Sequence, residues 1–233
     1  MPSSPPSQLT LGVTLDDNAT FENFLVAERN QQVYACLADP SAQQQFVTIW
    51  GALDSGLTHL LQAACQQRSQ QNRSALYFSM RDKANLHPDI LDGVHTLSLV
   101  CLDNVEHLAG DLLWEAALFT AFNAIKDSQT QLLLAANNAP AQWPIKLPDL
   151  RSRLQSCLVF QVSELNDAEK ILALQLRAKN RGIQLNDAVA EYILQRADRG
   201  LRGLMHILGQ LDASSLTHQR KLTIPLVKTT LRW

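Results

Sequence analysis

Gly51, Gly56 and Thr58 stand at the spacing of a phosphate-binding loop, G-x-x-x-x-G-K-[ST], within Gly51-Ala52-Leu53-Asp54-Ser55-Gly56-Leu57-Thr58. Two glycines at that interval let the backbone curl so that successive N–H groups face one anion, at the positive end of a following helix. Thr58 is the hydroxyl such loops turn towards Mg²⁺. The lysine position holds Leu57, so the cation that would meet the outer phosphates is missing. The spacing alone also describes a plain strand–turn–helix junction, and the rest of the chain must decide between the two.

A second candidate lies about fifty residues on. Leu97-Ser-Leu-Val-Cys-Leu-Asp103 is a nearly continuous apolar run that ends in an acid. It reads as a central parallel strand with a carboxylate at its C-terminal edge, where open α/β sheets bind ligands. Asp103 then stands where Walker B acids hold Mg²⁺ through water; the competing reading makes it an ordinary helix cap. Asn104 occupies the place of the usual second acid, and an amide accepts no proton from attacking water. Glu106 is close enough in sequence to substitute. Asn137, at the end of Gln131-Leu-Leu-Leu-Ala-Ala136, either orients water or a phosphate or caps a turn. Arg151 and Arg153 precede the last strand pattern, either as solvated surface cations or with one of them presented to a neighbour's nucleotide.

Several elements must position these groups. Phe46–Trp50, Ala75–Ser79, the run to Asp103, Gln131–Ala136 and Ser156–Val162 read as strands, with a helix from the phosphate loop to about Gln71. A helix follows Asn30, read as its N-cap, to Leu37; others are expected over 111–125, 147–154, 168–180, 187–196, 201–211 and 225–231. Phe21, Phe24 and Tyr34 read as core or as a platform for a base. This is an α/β fold with a five-stranded, mostly parallel sheet and a C-terminal all-helical lid. The expected division is 1–17, 18–163 and 164–233.

The 233 residues carry a formal net charge of -2, with 46% hydrophobic and 18% charged residues. That balance supports a folded core and excludes a general basic field for nucleic acid. Cys36, Cys65, Cys101 and Cys157 show no C-x-x-C spacing and read as reduced thiols of a cytoplasmic protein. No apolar stretch reaches membrane-spanning length, and the Pro/Ser-rich start is no signal peptide. Gln8-Leu9-Thr10-Leu11 is either a short strand or an extended docking peptide.

Together the phosphate loop, Leu99-Val-Cys-Leu-Asp103, the polar strand end, the arginine before the last strand and the helical tail resemble an AAA+ ATPase. More closely, Thr20–Val26, Trp50–Leu61, Leu97–Glu106, Leu147–Leu154 and Gln219–Pro225 are similar to the Hda family of DnaA-homologous regulators of bacterial replication initiation. The resemblance implies that residues 51–58, with Val26, hold a nucleoside diphosphate such as ADP and that Asp103 and Thr58 sit by Mg²⁺. It makes Arg202 the sensor-2 arginine, Asn137 the polar sensor at its strand end and Arg153 an arginine finger acting on ATP bound to a DnaA molecule. It makes Gln8, Leu9 and Leu11 a hook for the DNA sliding clamp, although Gly12-Val13 depart from the usual large residue. Implied partners are DnaA, the clamp and further copies of the chain. Contact with DNA is mainly indirect, and a helix-turn-helix domain of the DnaA kind is not expected. With Leu57 and Asn104 in place, little intrinsic ATPase is expected. The alternatives are a self-sufficient P-loop NTPase that remodels nucleic acid or loads a partner, and a scaffold that binds no nucleotide.

Overall fold

Five strands, β1 (Phe46–Trp50), β2 (Ala75–Ser79), β3 (Leu99–Asp103), β4 (Gln131–Ala136) and β5 (Leu158–Gln161), form one sheet in the order β2-β3-β4-β1-β5, and every pairing is parallel. The computed structural model describes residues 16, 18–39, 44–198, 200–218 and 222–233. The Gln8–Leu11 peptide therefore lies outside the described residues. Strands β3 and β4 are buried along their whole length, which is why their sequences are apolar without alternation.

The side chains still sort by the two-residue period. Val100, Leu102, Leu132 and Leu134 face one core layer, and Leu99, Cys101, Leu133 and Ala135 face the other. The first layer packs on α3 (Leu112–Lys126) and α4 (Pro148–Gln155) through Leu118, Phe122, Leu150 and Leu154. The second packs on α1 (Gln31–Ala38) and α2 (Leu57–Gln70) through Val33, Leu37, Leu60 and Leu61. The four cysteines are free; Cys65, Cys101 and Cys157 are buried and Cys36 is half-buried.

A third hydrophobic cluster builds the lid from α5 (Asp167–Asn180), α6 (Asp187–Arg196), α7 (Leu201–His218) and α8 (Ile224–Leu231). Asn166 and Glu169 close a reciprocal capping box on α5. Asn186 caps α6, and Thr223, followed by Pro225, caps α8. Helix α7 runs further than the sequence pattern suggests, because its later turns have no stop signal before His218.

Polar ties hold the lid over the sheet. Asn30 is fully buried and does not cap α1; its amide donates to Ser163 O (2.8 Å) and its Oδ1 accepts from Ser163 N (2.9 Å). Arg29 pairs with Glu169 at 2.5 Å and donates to Glu164 O. That contact, with the Asn166 N–H beside it, lowers the Glu169 carboxyl to about 2. Arg177 donates to Asn18 O, and Asn180 Nδ2 donates to Asn23 Oδ1 at 2.7 Å.

Glu115, fully buried on α3, accepts from Gly110 N (2.7 Å), Lys146 N (3.1 and 3.0 Å) and Leu147 N (2.7 Å). Leu147 flanks the start of α4, so this carboxylate fixes the helix that carries Arg153. Glu115→Ala removes the acceptor of three N–H groups. It should cost about 3 kcal/mol, read as a roughly 6–12 °C fall in melting temperature by calorimetry. An unchanged melting temperature would contradict this role.

Candidate functional site

Because all the strands are parallel, their C-terminal ends gather at one edge. Trp50, Ser79, Asp103 and Ala136 end the four strands that feed the cleft there. The cleft holds ≈ 460 Å³ and runs from the phosphate loop to the first turn of α7. That size suits a small-molecule site.

The loop is fixed at both ends. Gly51 N donates to Ala136 O (3.2 Å), and Val162 N donates to Trp50 O (2.7 Å). A Cβ on Gly51 would stand 2.4 Å from Val162 O, so only glycine fits. Gly56 has φ +97°, and a Cβ there would meet Phe24 Cε2 at 2.8 Å. Phe24 in turn lies 5.5 Å from the His59 ring, so the aromatic segment packs against the loop and the start of α2. The first-turn N–H groups of α2, at Leu57, Thr58 and His59, have no partner among the described residues. Ser55 Oγ is buried and likewise unpartnered. Unpaired donors at the N-terminus of a 14-residue helix fit an anion.

Asp103 is the hub of the opposite wall. It is 2% exposed; its Oδ2 accepts from Thr58 Oγ1 (2.6 Å) and Tyr77 OH (3.0 Å), and its Oδ1 accepts from Asn104 N (2.8 Å). The hydroxyl and the carboxylate are hard oxygen donors suited to Mg²⁺, which binds through few protein ligands and keeps its waters. Burial, and then the Asp103 charge, push the Tyr77 phenol well above its ordinary range, so it stays a donor.

Asn104 adopts a left-handed conformation (φ 55°), and its Oδ1 accepts from Ser79 Oγ at 2.9 Å. Glu106 does not replace the missing acid. Its Oε1 is taken by Asn137, from Nδ2 at 2.6 Å and from N at 3.3 Å, and it does not line the cleft. Asn137 does line the cleft, held in place by that carboxylate. Leu57 is 6% exposed and packs into the α1/α2 core layer, so it offers no cation. Arg202 reaches the cleft from α7 and pairs with Asp54, Nε to Oδ1 at 3.7 Å.

Loop residues 52–58, Asp103, Asn137 and Arg202 thus converge on one cleft. Gly51 anchors its base. Val26 is half-buried and is not among the residues lining this cleft; its segment reaches the loop through Phe24 instead. Arg153 lies elsewhere, half-exposed on α4 in a shallow cavity with Phe119, Asp149, Ser152 and Ser156. Among the described residues, its guanidinium has no hydrogen-bond or charge partner. Arg151, by contrast, donates to Ile145 O.

Sequence reasoning passed over Asp16, His59, Gln62, Tyr77, Arg81 and Met205, which also line the cleft. Tyr77 and Ser79 were findable: the two-residue period at the end of β2 turns both towards Asp103 and Asn104. Asp16 and Met205 gave no local signal.

His59 donates through Nε2 to Thr20 O at 2.7 Å. Its pKa is lowered mainly by burial, with Arg177 adding to the effect, while the Thr20 carbonyl and Asp16 oppose it. Below about pH 6.5 the unfolded chain gains this proton and the folded chain does not, so the stability His59 contributes falls as pH drops through that window. Urea midpoints at pH 7.5 and 5.5 should show His59→Gln losing less stability on acidification than the parent. Equal losses would contradict a neutral buried ring.

The comparisons with known proteins agree with this fold. Residues 15–161 match the model of the bacterial DnaA ATPase domain, and residues 167–231 match the Hda lid domain. The fold resembles domain III of the replication initiation protein DnaA from Thermotoga maritima (TM-score 0.76, 21% identity, 94% of this chain and 98% of that one). It also resembles AMPPCP-bound DnaA from Aquifex aeolicus (TM-score 0.71, 22% identity, 88% and 69%). The RuvB Holliday junction branch migration motor of Thermotoga maritima is similar at TM-score 0.65 and 16% identity, over 91% and 73% of the two chains. At these identities the structural likenesses speak for the AAA+ fold. Among the described residues, no helix is long and apolar enough to cross a membrane.

Proposed function

Since the chain belongs to the bacterial DnaA ATPase-domain family and carries an Hda-type lid, we propose that it regulates replication initiation by stimulating ATP hydrolysis on DnaA. In this reading Gln8, Leu9 and Leu11 tether it to the DNA sliding clamp, and its contact with DNA is mainly through that clamp. It works in the cytoplasm beside the replication machinery, touching DnaA and further copies of itself side by side.

The chain's own cleft holds a nucleoside diphosphate, ADP or a relative. Residues 51–58 take its phosphates on backbone N–H groups, with Arg202 closing from the lid. Asp103 and Thr58 would hold Mg²⁺, which when bound neutralises phosphate charge. Asn137 offers its amide to a phosphate or a water. With Leu57 in the lysine position and Asn104 in the place of the base, the barrier to hydrolysis in this cleft stands several kcal/mol above that of an equipped site. Those two positions also weigh against a self-sufficient NTPase.

One observation carries the proposal: Arg153 is half-exposed and lies outside the cleft, with no charge partner among the described residues. A long side chain bearing an unpaired guanidinium is suited to a second molecule's phosphates. There it would stabilise charge as the phosphoryl group leaves.

Hydrolysis of ATP bound to DnaA, followed in single turnovers with clamp-loaded DNA, tests this. Arg153→Ala should lower the stimulated rate by about 10³-fold or more, with melting temperature and clamp binding unchanged. Stimulation that survives the substitution would overturn the assignment.

A further inference from the structure

Asp54 sits inside the phosphate loop with φ +65°, a conformation that aspartate and asparagine tolerate better than most side chains. Its carboxylate turns away from the loop and reaches the lid. Oδ1 lies 3.7 Å from Arg202 Nε, and Oδ2 lies 2.6 Å from where a Cβ on Gly200 would stand. The carboxylate is therefore seated against the backbone that opens α7, and the bare Cα of Gly200 permits the approach. Asp54 also borders a second cavity of ≈ 240 Å³ that Lys170 and Glu164 line from the lid side.

The charges of the cleft give this contact its meaning. Among the described residues, Asp16, Asp54 and Asp103 line it against Arg81 and Arg202, and Leu57 adds nothing. A phosphate chain entering the loop meets a lid arginine already engaged by a carboxylate. It must draw Arg202 away and then lie near that carboxylate. Each added phosphate charge raises the repulsion in a partly buried site, where screening is weaker than in water.

We propose that Asp54 determines which phosphate chain the cleft retains, competing for Arg202 and disfavouring a triphosphate more than a diphosphate. This rests on the reading of the cleft as a nucleotide site. Without nucleotide, the carboxylate takes the place of a phosphate and holds the lid arginine over the loop. A diphosphate displaces it. A triphosphate brings further negative charge into a lining that lacks the usual lysine.

Titration calorimetry of the full chain with ADP and with ATP, in Mg²⁺ at fixed salt, separates the outcomes. Asp54→Asn keeps shape and left-handed tolerance while removing the charge. It should tighten ADP by about tenfold and ATP by about thirtyfold, so the preference for ADP shrinks about threefold. Asp54→Gly also accepts φ +65° and should move both affinities the same way, which guards against an effect of loop shape. Unchanged or weakened affinities in both variants, with the parent still binding ADP, would overturn this assignment alone. No binding of either nucleotide to any of the three proteins would overturn the nucleotide reading along with it.

Discussion

The carboxylate of Asp103 receives hydroxyl hydrogen bonds from Thr58 at the start of α2 and Tyr77 near the end of β2, and an N–H from Asn104. Three segments far apart in sequence meet on one buried acid. Their meeting point lies at the sheet edge where the parallel strands end, so the hub of the fold and the wall of the cleft are the same atoms. A charge buried this deeply is tolerated because it has several strong donors. Removing it would leave the Thr58 and Tyr77 hydroxyls without their acceptor and would loosen the loop from β3. The phosphate loop is placed by this contact as much as by its glycines.

The second organising feature is the way the lid is held. Asn30, Arg29, Arg177 and Asn180 tie α5 and the segment before it to residues 18–30 through backbone carbonyls and side chains. Arg202 then leans from α7 onto the loop through Asp54. Arg202 is largely exposed, so its pair with Asp54 contributes little stability by itself. Its consequence is positional: the lid cation is already over the loop. The proposed function has this cleft hold an anion. Its donors are backbone N–H groups and arginines, and the positions that would supply a lysine and a proton acceptor are filled by Leu57 and Asn104.

Much of this could be read in the chain beforehand. Gly51, Gly56 and Thr58 announced the loop by spacing. The apolar run to Asp103 announced a central strand ending in an acid, because a strand covered on both faces leaves no room for alternation. The parallel sheet followed from strands separated by helices. What escaped was whatever depends on two distant side chains meeting. Asn30 looked like a helix cap and instead pairs with Ser163 across 133 residues. Glu106 looked available as a base, yet the turn after β3 carries it to Asn137. Val26 is expected with residues 51–58 at the nucleotide, yet it does not line the cleft, and Phe24 of the same segment touches the loop at Gly56. Asp54 reads in the sequence only as one of residues 51–58 that hold the nucleotide, because a loop residue between two glycines has no periodicity to betray its contact with Arg202. The role given to Arg202, and the choice of Arg153 over Arg151, rest on family likeness alone; a lone arginine on an amphipathic helix looks like any solvated cation.

On the proposed function, the chain separates two roles that an ordinary AAA+ ATPase combines. The proposed reading gives the cleft the holding of an anion, with Leu57 and Asn104 in the positions of the lysine and the base, while Arg153, without a charge partner among the described residues, stands on α4 away from it. Steady-state hydrolysis by the isolated protein, at saturating ATP and Mg²⁺ without any partner, tests that separation most directly. The account predicts turnover indistinguishable from a blank without protein. Sustained turnover on the order of one per second, the low end of ordinary enzymes, would contradict it.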